Sequence, residues 1–600
     1  MYYYNPWNLD YKQPFGAIKV GNSMSLSFTT DQPSVLVTCV IRRDFGKRYE
    51  FSMTKDSGGN FRVTIPFDEE SGLYFYHFEI VESSDLGETR RFYGCSGIGG
   101  EGLLYTDEND VKPYQLTVFE KEDQAPSWYR EAVFYQIFPD RFYNGNENGQ
   151  INHPKPNSFI YGRKTDSPFY VKEENGDIAR WDFFGGNLRG IIKKIPYLKE
   201  LGINAIYLNP IFSGTSNHRY DTNDYLKIDS MLGRQEDFEE LIQLLHQEKM
   251  HLVLDGVFSH VGKNSLYFNI NGDYGDDEGA AKNPDSPYFD WFKFENYPFE
   301  YKSWWGIKDL PEIDKDNDSF RNFIYGEKNS VLAKWNDLGI DGWRLDVADE
   351  LPDSFIKGIR ENLDSYSDKI LIGEIWEDAS NKISYGKRRN YILGGSLQAA
   401  MNYPFRDLII NLLNGHCSSQ DVAHQLMTLQ ENYPKDIFYN NLNNLGTHDT
   451  ERILTMVGEK NLSVALAMLF VLPGIPCIYY GDEAGLSGGK DPENRKYFPW
   501  DNISPNVYNV YKSWTQKRLS ENSLKYGEFS TFFTDRLLGI LRYTDSEVFV
   551  ELINPSEDEL NIEVQEITFL QNLKFLPELK KLLTEKVISG KTNLELKMKI

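Results

Sequence analysis

Two neighbouring stretches of the chain, DGWRLDVADE (residues 341–350) and KILIGEIW (residues 369–376), decide the fold. Each is a short apolar run that ends in charged side chains, and a segment long enough for a helix separates the two. Short apolar strands that alternate with helices are typical of a parallel sheet. The charged ends then fall at the carboxyl edge of that sheet, where barrel enzymes carry their reactive groups.

Six further apolar runs lie on both sides of this pair, and amphipathic segments separate most of them. The first such segment follows Asn187, a favoured N-cap residue, and repeats its apolar side chains at helical spacing. Eight strands that alternate with helices predict an α/β fold, a (β/α)₈ TIM barrel, over residues 121–520. The six runs are AVFYQIF (132–138), NAIYLNPIF (204–212), HLVLDGVF (251–258), SLQAAMNY (396–403), NLNNLGTH (441–448) and IPCIYYGDE (475–483).

One connection inside the barrel is unusually long. From His260 to about residue 318 the chain has no clear helix, although it contains three tryptophans. A structureless loop of that length indicates a small subdomain or a functional lid. We therefore expect a subdomain inserted after strand 3 (HLVLDGVF, 251–258, the third run in chain order), at about residues 261–318.

The segments on either side of the barrel have a different pattern of polar and apolar residues. Residues 1–120 contain short alternating runs such as LYFYHFEIVE (73–82), separated by turn signals, which predict an N-terminal β-sandwich. After the barrel, runs such as EVFVELIN (547–554) predict a C-terminal β-domain over residues 521–600.

Composition limits the partners that the protein binds. The chain contains 64 Lys and Arg against 89 Asp and Glu, a formal net charge of −25. Such a surface repels phosphate backbones and acidic membranes, so we expect no nucleic-acid partner and no membrane partner. The sequence contains no run of about 18 apolar residues, which a membrane-spanning helix would need. A neutral substrate is favoured.

Two features predict a cytoplasmic protein. The first residues, MYYYNPWNLDYKQPFG, lack the basic and apolar regions of a secretory signal. Only four cysteines occur, and their spacing shows no pairing, so we expect them to be reduced. They are Cys39, Cys95, Cys417 and Cys477.

Seven ionisable side chains follow four of the predicted strands and converge on one rim of the barrel. Cleaving a glycosidic bond with retention needs two carboxyl groups roughly 5–5.5 Å apart, one ionised and one protonated. For any single one of these residues, the alternative to a catalytic role is an ordinary polar side chain at the end of a strand. A metal hydrolase is disfavoured because no HxH or HExxH spacing occurs. The seven are Asp255, His260, Arg344, Asp346, Glu374, His448 and Asp449.

The two carboxyl roles differ in the charge that each requires. Arg344 precedes Asp346 by two positions, on the same strand face, and is expected to keep that aspartate ionised for attack on the anomeric carbon. Glu374 lies on the next strand near other carboxylates, so we expect its pKa to be raised, as a proton donor requires.

The barrel and its flanks resemble the α-amylase family of glycoside hydrolases. The resemblance spans about residues 130–500, and its motifs occur in the family's order. They are NHRYDTNDY (217–225), DGVFSH (255–260), LPEID (310–314), GWRLDVADE (342–350), GEIW (373–376), GTHDTER (446–452) and GIPCIYYGDEAGL (474–486).

The resemblance implies a role for each matching residue. Asp346 resembles the family's nucleophile, Glu374 its acid/base and Asp449 its transition-state stabiliser. The remaining matches imply substrate contacts around the first sugar subsite, with Tyr220 as the aromatic platform and Asp255 as an orienting residue. These predicted substrate-binding residues are Tyr220, Asp255, His260, Arg344, Trp376, His448 and Arg452.

Within the family, the chain is most similar to the neopullulanase, cyclomaltodextrinase and maltogenic amylase group. The similarity lies in GEIW, in the DVADE continuation and in the added N-terminal β-domain, which is carbohydrate-binding-like. This similarity implies hydrolysis of α-1,4 glucosidic bonds in maltooligosaccharides, cyclodextrins or pullulan, and it leaves α-1,6 bonds open. A glucanotransferase of the same fold and a non-catalytic carbohydrate-binding relative stay open as alternatives. The group also implies a homodimer in which the N-terminal domain covers the partner's barrel mouth.

Some members of the group bind calcium in the first barrel loop. Here that loop offers mostly amides, from Asn144, Asn146, Gly185 and Asn187, where carboxylates are common. We therefore expect a weak calcium site or none, and no required cofactor.

Overall fold

A closed eight-stranded parallel barrel forms the centre of the computed structural model, which describes residues 1–32, 34–68, 70–84, 87–174 and 176–600. The sheet runs from strand 6 through strands 5 to 1 and on to strands 8 and 7, and a parallel bridge between Met401 and Leu442 joins its two ends. Each strand lies within one of the eight predicted runs, so the (β/α)₈ prediction is confirmed. Numbered 1 to 8 in chain order, the strands are Phe134–Ile137, Ala205–Leu208, His251–Gly256, Gly342–Leu345, Ile370–Gly373, Ala399–Ala400, Leu442–Asn444 and Ile475–Tyr479.

The strands are apolar throughout because both of their faces are buried. Alternate side chains separate into two clusters, as the two-residue period of a strand requires. Phe134, Tyr207 and Val253 belong to the cluster inside the barrel. Their neighbours, such as Tyr135 and Leu254, belong to the larger core between strands and helices.

The helices form the outer layer of the barrel. In the first of them, the Asn187 side chain accepts a hydrogen bond from Gly190 N, and the helix ends at Gly202, whose φ is 91°. This confirms the predicted N-cap. The helices are Leu188–Leu201, Gln235–Gln247, Asp318–Tyr325, Val331–Asp337, Asp353–Leu363, Tyr403–Leu413, Ser419–Asn432, Lys435–Asn440, Ile453–Val471, Pro505–Ser520 and Asn522–Tyr526.

Among the described residues, one helix is long and apolar enough to cross a membrane by length and composition, Ile453–Val471. Its backbone is interrupted at Gly458, where φ is 72° and ψ is 167°. In its most apolar window 61% is buried inside the protein, as is common for a core helix. It is therefore weak evidence for a membrane span.

Excursions of the chain above the carboxyl ends of the strands build the walls of a cleft. The connection after strand 3 contains the 3₁₀ turns Phe289–Trp291 and Trp304–Gly306 and the hairpin Phe294–Asn296 with Glu300–Tyr301. Its apolar side chains join the barrel core. The loop after strand 1 carries a three-stranded sheet that we did not predict from the sequence. These strands are Ser158–Ile160, Val171–Lys172 and Ile178–Phe183.

The N-terminal segment forms two sheets around their own apolar core, as predicted for a sandwich, and their strands pair antiparallel except for Ile18–Lys19 with Tyr114–Phe119. One sheet contains Tyr2–Tyr3, Lys12–Gln13, Asn22–Thr30, Thr54–Lys55 and Asn60–Phe67. The other contains Ile18–Lys19, Val35–Arg43, Arg48–Ser52, Gly72–Ser84, Gly87–Cys95, Gly102–Tyr105 and Tyr114–Phe119.

The C-terminal segment forms a five-stranded sheet with the helix Leu576–Leu583 packed on it. The last strand, Thr592–Lys599, completes the sheet. It lies in the C-terminal tail, whose sequence pattern is mixed. The domain boundaries at residues 120/121 and 520/521 stay predictions. The strands are Glu528–Phe533, Leu538–Tyr543, Glu547–Asn554, Thr568–Phe569 and Thr592–Lys599.

Candidate active site

The carboxyl ends of strands 3, 4 and 5 bring three acidic side chains to one point. Asp255 follows Val253 by two residues and Glu374 follows Ile372 by two, so each points to the same inner side as its apolar neighbour. The same period carries Arg344 and Asp346 inward from strand 4. The convergence expected from the sequence is therefore present in the fold.

Arg344 is the centre of this cluster. Its guanidinium is fully buried, and its Nη1 donates to Asp255 Oδ1 at 2.8 Å and to Asp346 Oδ1 at 3.0 Å. Its Nη2 lies 2.8 Å from Glu374 Oε2. One cation thus faces three carboxyl groups, and the cluster carries more negative than positive charge when all three are ionised.

Burial raises the pKa of Asp346 well above its usual range, and the neighbouring Glu374 raises it further, while Arg344 opposes both. The expectation that Arg344 keeps the pKa of this aspartate low is therefore wrong for the free protein. The physical reason is that the guanidinium is shared, so it offsets only part of the cost of desolvation and of like charge. Asp346 and its neighbours titrate as a coupled group.

Glu374 is held in place by two donors from different directions. Val347 N donates to its Oε2 at 2.8 Å, and the indole Nε1 of Trp376 donates to its Oε1 at 3.1 Å. Val347 adopts a φ of 37°, which is uncommon for a β-branched residue. Strain of this kind is typical of functional sites.

His448 is neutral, and its tautomer follows from its partners. The side-chain amides of Gln136 and Asn209 lie 2.9 and 3.2 Å from its Nδ1 and donate to it. The proton therefore resides on Nε2, which lies 3.1 Å from Asp449 Oδ2. Burial lowers the pKa of His448 well below its usual range, in agreement with the neutral form.

Asp449 lines the same cleft as Asp346 and Glu374, and about a third of its side chain is exposed. Burial raises its pKa to about 7, and Glu374 adds to the shift. Arg495 Nη2 lies 3.7 Å from its Oδ1 and opposes the shift.

Tyr220 forms a flat wall beside these groups. Its ring stacks on His448 with a centroid distance of 5.1 Å and an interplanar angle of 5°, and its hydroxyl donates to Asp255 Oδ2 at 2.7 Å. His260 Nε2 lies 3.1 Å from Tyr220 O, and burial lowers the pKa of His260 to about 4. An apolar sugar face can pack against such a wall.

These side chains line a cleft of about 910 Å³. Of the predicted set, Asp255 and Arg344 lie beneath the cleft floor and act through the residues above them. The predicted residues that line the cleft are Tyr220, His260, Asp346, Glu374, Trp376, His448 and Asp449.

The structure does not place Arg452 in the cleft. Its side chain is fully buried, and its Nη1 donates to Tyr480 O at 2.9 Å and to Asp482 Oδ1 at 2.7 Å. The motif places it three residues after Asp449, but its side chain lies inside the protein and does not line the cleft. Arg452 therefore anchors the end of strand 8, and a sugar contact is not available to it.

Several cleft residues were not identified from the sequence. Trp305 and Tyr385 are each 73% exposed, adopt a φ of 50°, and donate to Glu350 Oε1. Arg495 supports His448 by donating to its backbone carbonyl at 3.1 Å. These residues come from irregular excursions, where neither period nor spacing gives a signal.

The amides of the first barrel loop are engaged with one another. Asn187 Oδ1 accepts from Gly145 N and Gly190 N, and its Nδ2 donates to Asn144 Oδ1 at 3.1 Å. Asn146 Nδ2 donates to Asn152 Oδ1 at 2.9 Å, and Gly185 N donates to Asp140 Oδ1. Neutral oxygens that already accept N–H groups are poor ligands for a hard cation, so this loop does not fit calcium.

Chelation is therefore expected to leave most of the activity and the thermal midpoint unchanged. No group of three or more His, Cys, Asp or Glu side chains that could hold a metal is present in the described part of the chain. The measurement is activity and melting temperature after prolonged dialysis against EDTA. Complete inactivation that calcium alone reverses would contradict this expectation.

Replacing Asp449 by Asn is expected to change how stability depends on pH. The pKa of this carboxyl is raised from 3.8 to about 7, so its stabilising contribution is complete below about pH 4 and is lost as the pH rises through 7. The asparagine variant has no such loss.

The melting temperature of Asp449→Asn minus that of the wild type should therefore rise between about pH 4 and pH 7 and stay level above it. The exposed Asp10 provides a control, since Asp10→Asn should give a difference that does not follow this course. A constant difference for Asp449→Asn across that range would show that its pKa is not raised.

Comparison with known proteins agrees with this architecture. The alpha-amylase catalytic domain family matches residues 136–525. An amylopullulanase of Thermoanaerobacterium saccharolyticum is 35% identical, over 94% of this chain and 49% of that protein. A cyclomaltodextrinase of Geobacillus thermopakistaniensis is 32% identical, over 86% of each chain. The chain belongs to the α-amylase family of glycoside hydrolases.

A solved structure of a glycoside hydrolase is also similar to this chain. The cyclic α-maltosyl-(1→6)-maltose hydrolase of Arthrobacter globiformis, in complex with cyclic α-maltosyl-(1→6)-maltose, is 28% identical with a TM-score of 0.67. The match covers 79% of this chain and 100% of that protein. By contrast, this chain spans about half the length of the amylopullulanase that it matches.

Proposed function

We propose that the protein is a retaining glycoside hydrolase that cleaves α-1,4, and also α-1,6, glucosidic bonds through a covalent glucosyl-enzyme intermediate. The observation that carries this proposal is the shared guanidinium of Arg344, which holds Asp346 and Glu374 from adjacent strands at the rim of the barrel. Two carboxyl groups on one support, facing a cleft, supply the nucleophile and the acid that retention requires.

In the first step, Asp346 Oδ attacks the anomeric carbon while Glu374 gives its proton to the leaving oxygen, and the glycosidic bond breaks. In the second, Glu374 takes a proton from water, the water oxygen attacks the same carbon, and Asp346 leaves. Asp449 accepts hydrogen bonds from sugar hydroxyls. The first step needs the negative charge on Asp346 and the proton on Glu374.

We propose maltooligosaccharides, cyclodextrins and pullulan as substrates. The cleft is lined by aromatic rings and by many acidic side chains, and the chain is strongly acidic, so a neutral sugar is favoured over an anionic ligand. The names of the related cyclomaltodextrinase and of the cyclic α-maltosyl-(1→6)-maltose hydrolase support cyclic glucans among the substrates.

Chromatography of the products from β-cyclodextrin, pullulan, panose and soluble starch tests the proposal, with Asp346→Asn as the blank. We expect ring opening and short maltooligosaccharides, with the α-anomer formed first in NMR spectra. A β-anomer as the first product would exclude retention. Products longer than the substrate would identify a glucanotransferase, and binding without cleavage of any substrate would identify a carbohydrate-binding protein.

We also propose a cytoplasmic location and a homodimer. Four cysteines without a disulfide among the described residues are typical of a reducing compartment. The N-terminal domain exposes large apolar side chains, such as Leu36, Phe45 and Leu103, that a second copy would cover. Light scattering at micromolar concentration tests the dimer, and a monomer there would exclude it.

A further inference from the structure

A short hairpin of the loop after strand 5 forms one wall of the cleft. This cleft hairpin consists of Ile383–Ser384 paired with Lys387–Arg388, and its turn residues are Tyr385 and Gly386, with φ of 50° and 73°. Two residues with positive φ form the turn type that best fits a tight hairpin. The turn presents Tyr385 to the cleft, where its hydroxyl donates to Glu350.

The base of the cleft hairpin is held by the N-terminal domain of the same chain. Arg388 Nε donates to Asp44 Oδ2 at 2.6 Å, and both side chains are mostly buried, with 19% and 15% exposed. Asp44 lies in the turn between strands Val35–Arg43 and Arg48–Ser52 and is fixed there, since its N donates to Leu73 O.

A second contact holds the preceding residues. Gln115, on the strand Tyr114–Phe119, donates from Nε2 to Ser380 Oγ at 2.9 Å, and its Oε1 accepts from Asn381 Nδ2 at 3.0 Å. Two side chains of the sandwich therefore hold the barrel loop on the approach to the hairpin and at its end.

The inner side of the cleft hairpin has contacts of its own. Ser384 Oγ donates to Asp349 O at 3.1 Å, and Lys382 Nζ lies 3.1 Å from Asp349 Oδ2. A hairpin with two residues in each strand has little stability in isolation, so its position depends on the groups that hold it. Those groups come from the barrel on one side and from the N-terminal domain on the other.

We propose that the N-terminal domain, through Asp44 and Gln115, positions the cleft hairpin of its own chain and so determines how well longer α-glucans bind. This inference rests on the proposed function. Asp44 and Gln115 are positioning residues, because they act through Arg388 and Asn381, on the loop after strand 5, and not on the carboxyl cluster. The contacts of Tyr385 run to Glu350 and, through it, to Trp305. Substrates that reach these rings depend on the hairpin, and shorter ones do not.

The test uses Asp44→Asn in the full chain, with maltoheptaose and p-nitrophenyl α-maltoside as substrates. The substitution removes the negative charge that strengthens a mostly buried hydrogen bond, so we expect KM for maltoheptaose to rise about tenfold, with kcat within about twofold of wild type. KM for the short substrate should stay unchanged. Asp56→Asn, which removes an ion pair with Arg62 inside the same domain, is the matched control and should leave both KM values unchanged.

Charge reversal provides a rescue experiment. Asp44→Arg and Arg388→Asp should each raise KM for maltoheptaose, and the double variant should recover most of the loss, because the pair is restored with opposite polarity. Equal KM values for the wild type and all three variants would overturn the proposal.

Hydrogen exchange separates this inference from the proposed function. In Asp44→Asn, peptides that cover residues 380–390 should take up deuterium faster than in the wild type, while peptides that cover the core helix Ile453–Val471 should not. If the wild type cleaves neither substrate, the proposed function fails, and unchanged exchange at 380–390 would then also remove the positioning role. Cleavage by the wild type with unchanged exchange and KM in the variant would remove the inference alone.

Discussion

Asp346→Asn is expected to lower kcat by about 10⁴-fold or more, because the amide cannot form the covalent bond on which the proposed mechanism depends. Maltoheptaose should still bind with a Kd within about tenfold of wild type, since the uncharged isostere keeps the shape of the cleft floor. Steady-state kinetics and calorimetric titration measure the two quantities. Turnover near that of the wild type would exclude Asp346 as the nucleophile.

Glu374→Gln distinguishes the second carboxyl from the first. With maltoheptaose this variant should lose a similar factor in kcat, because the leaving oxygen requires a proton. With α-maltosyl fluoride, whose leaving group requires none, the first step should recover much of its rate and lose the alkaline limb of its pH profile. Persistence of that limb would assign the acid role to another residue.

Arg344→Leu is expected to have the second large effect, on activity and on stability together. Removing the guanidinium leaves Asp255, Asp346 and Glu374 buried without their shared cation, and breaking a buried ion pair from one side costs about 3–5 kcal/mol. We expect kcat/KM to fall by about 10³-fold or more, because the leucine leaves both catalytic carboxyls unsupported.

The stability deficit of Arg344→Leu should grow as the pH rises. Arg344 opposes the upward pKa shifts of Asp346 and Asp255, so its loss raises both pKa values further above those of the unfolded chain. Stability is then retained at low pH and lost as the carboxyls are forced to ionise. Urea unfolding at several pH values from about 5 to 8 measures this, and a deficit that shrinks with rising pH would contradict the role of Arg344.

Arg452→Lys is the matched control for a buried arginine. Arg452 is also fully buried and paired, with Asp482, but it lies beneath the end of strand 8. We expect some loss of stability and a kcat/KM close to that of the wild type. A selective loss of substrate binding in this variant would restore the sugar contact that the sequence motif suggested.

The sequence was sufficient to predict the barrel because its signal is local and repeated. Each apolar run fixes a strand, and the two-residue period then decides that Arg344, Asp346 and Glu374 face inward together. No comparable period exists in the excursions that carry Trp305 and Tyr385, so their place in the cleft depends on long-range packing. The chemical roles of the site residues stay predictions until the variants are measured.

Two expectations failed for reasons that only a three-dimensional arrangement reveals. The raised pKa of Asp346 depends on how many carboxyls share Arg344 and on how deeply they are buried. The position of Arg452 depends on a change of chain direction after Asp449, which adjacency in a motif conceals. Pairwise reasoning along the sequence misses both, since it counts neighbours in the chain and not in space.

The closure of the barrel has a consequence for how the whole chain holds together. Strands 6 and 7 are the shortest of the eight, and the helix Ser419–Asn432 belongs to the excursion between them. Trp7 and Lys12 bond to Glu431 on that helix, while Thr531 of the C-terminal sheet bonds to Ala423 O from the other direction. Both flanking domains therefore connect the two ends of the barrel sheet through this helix, and we expect mechanical strain or proteolysis that detaches either domain to open the barrel between strands 6 and 7 first.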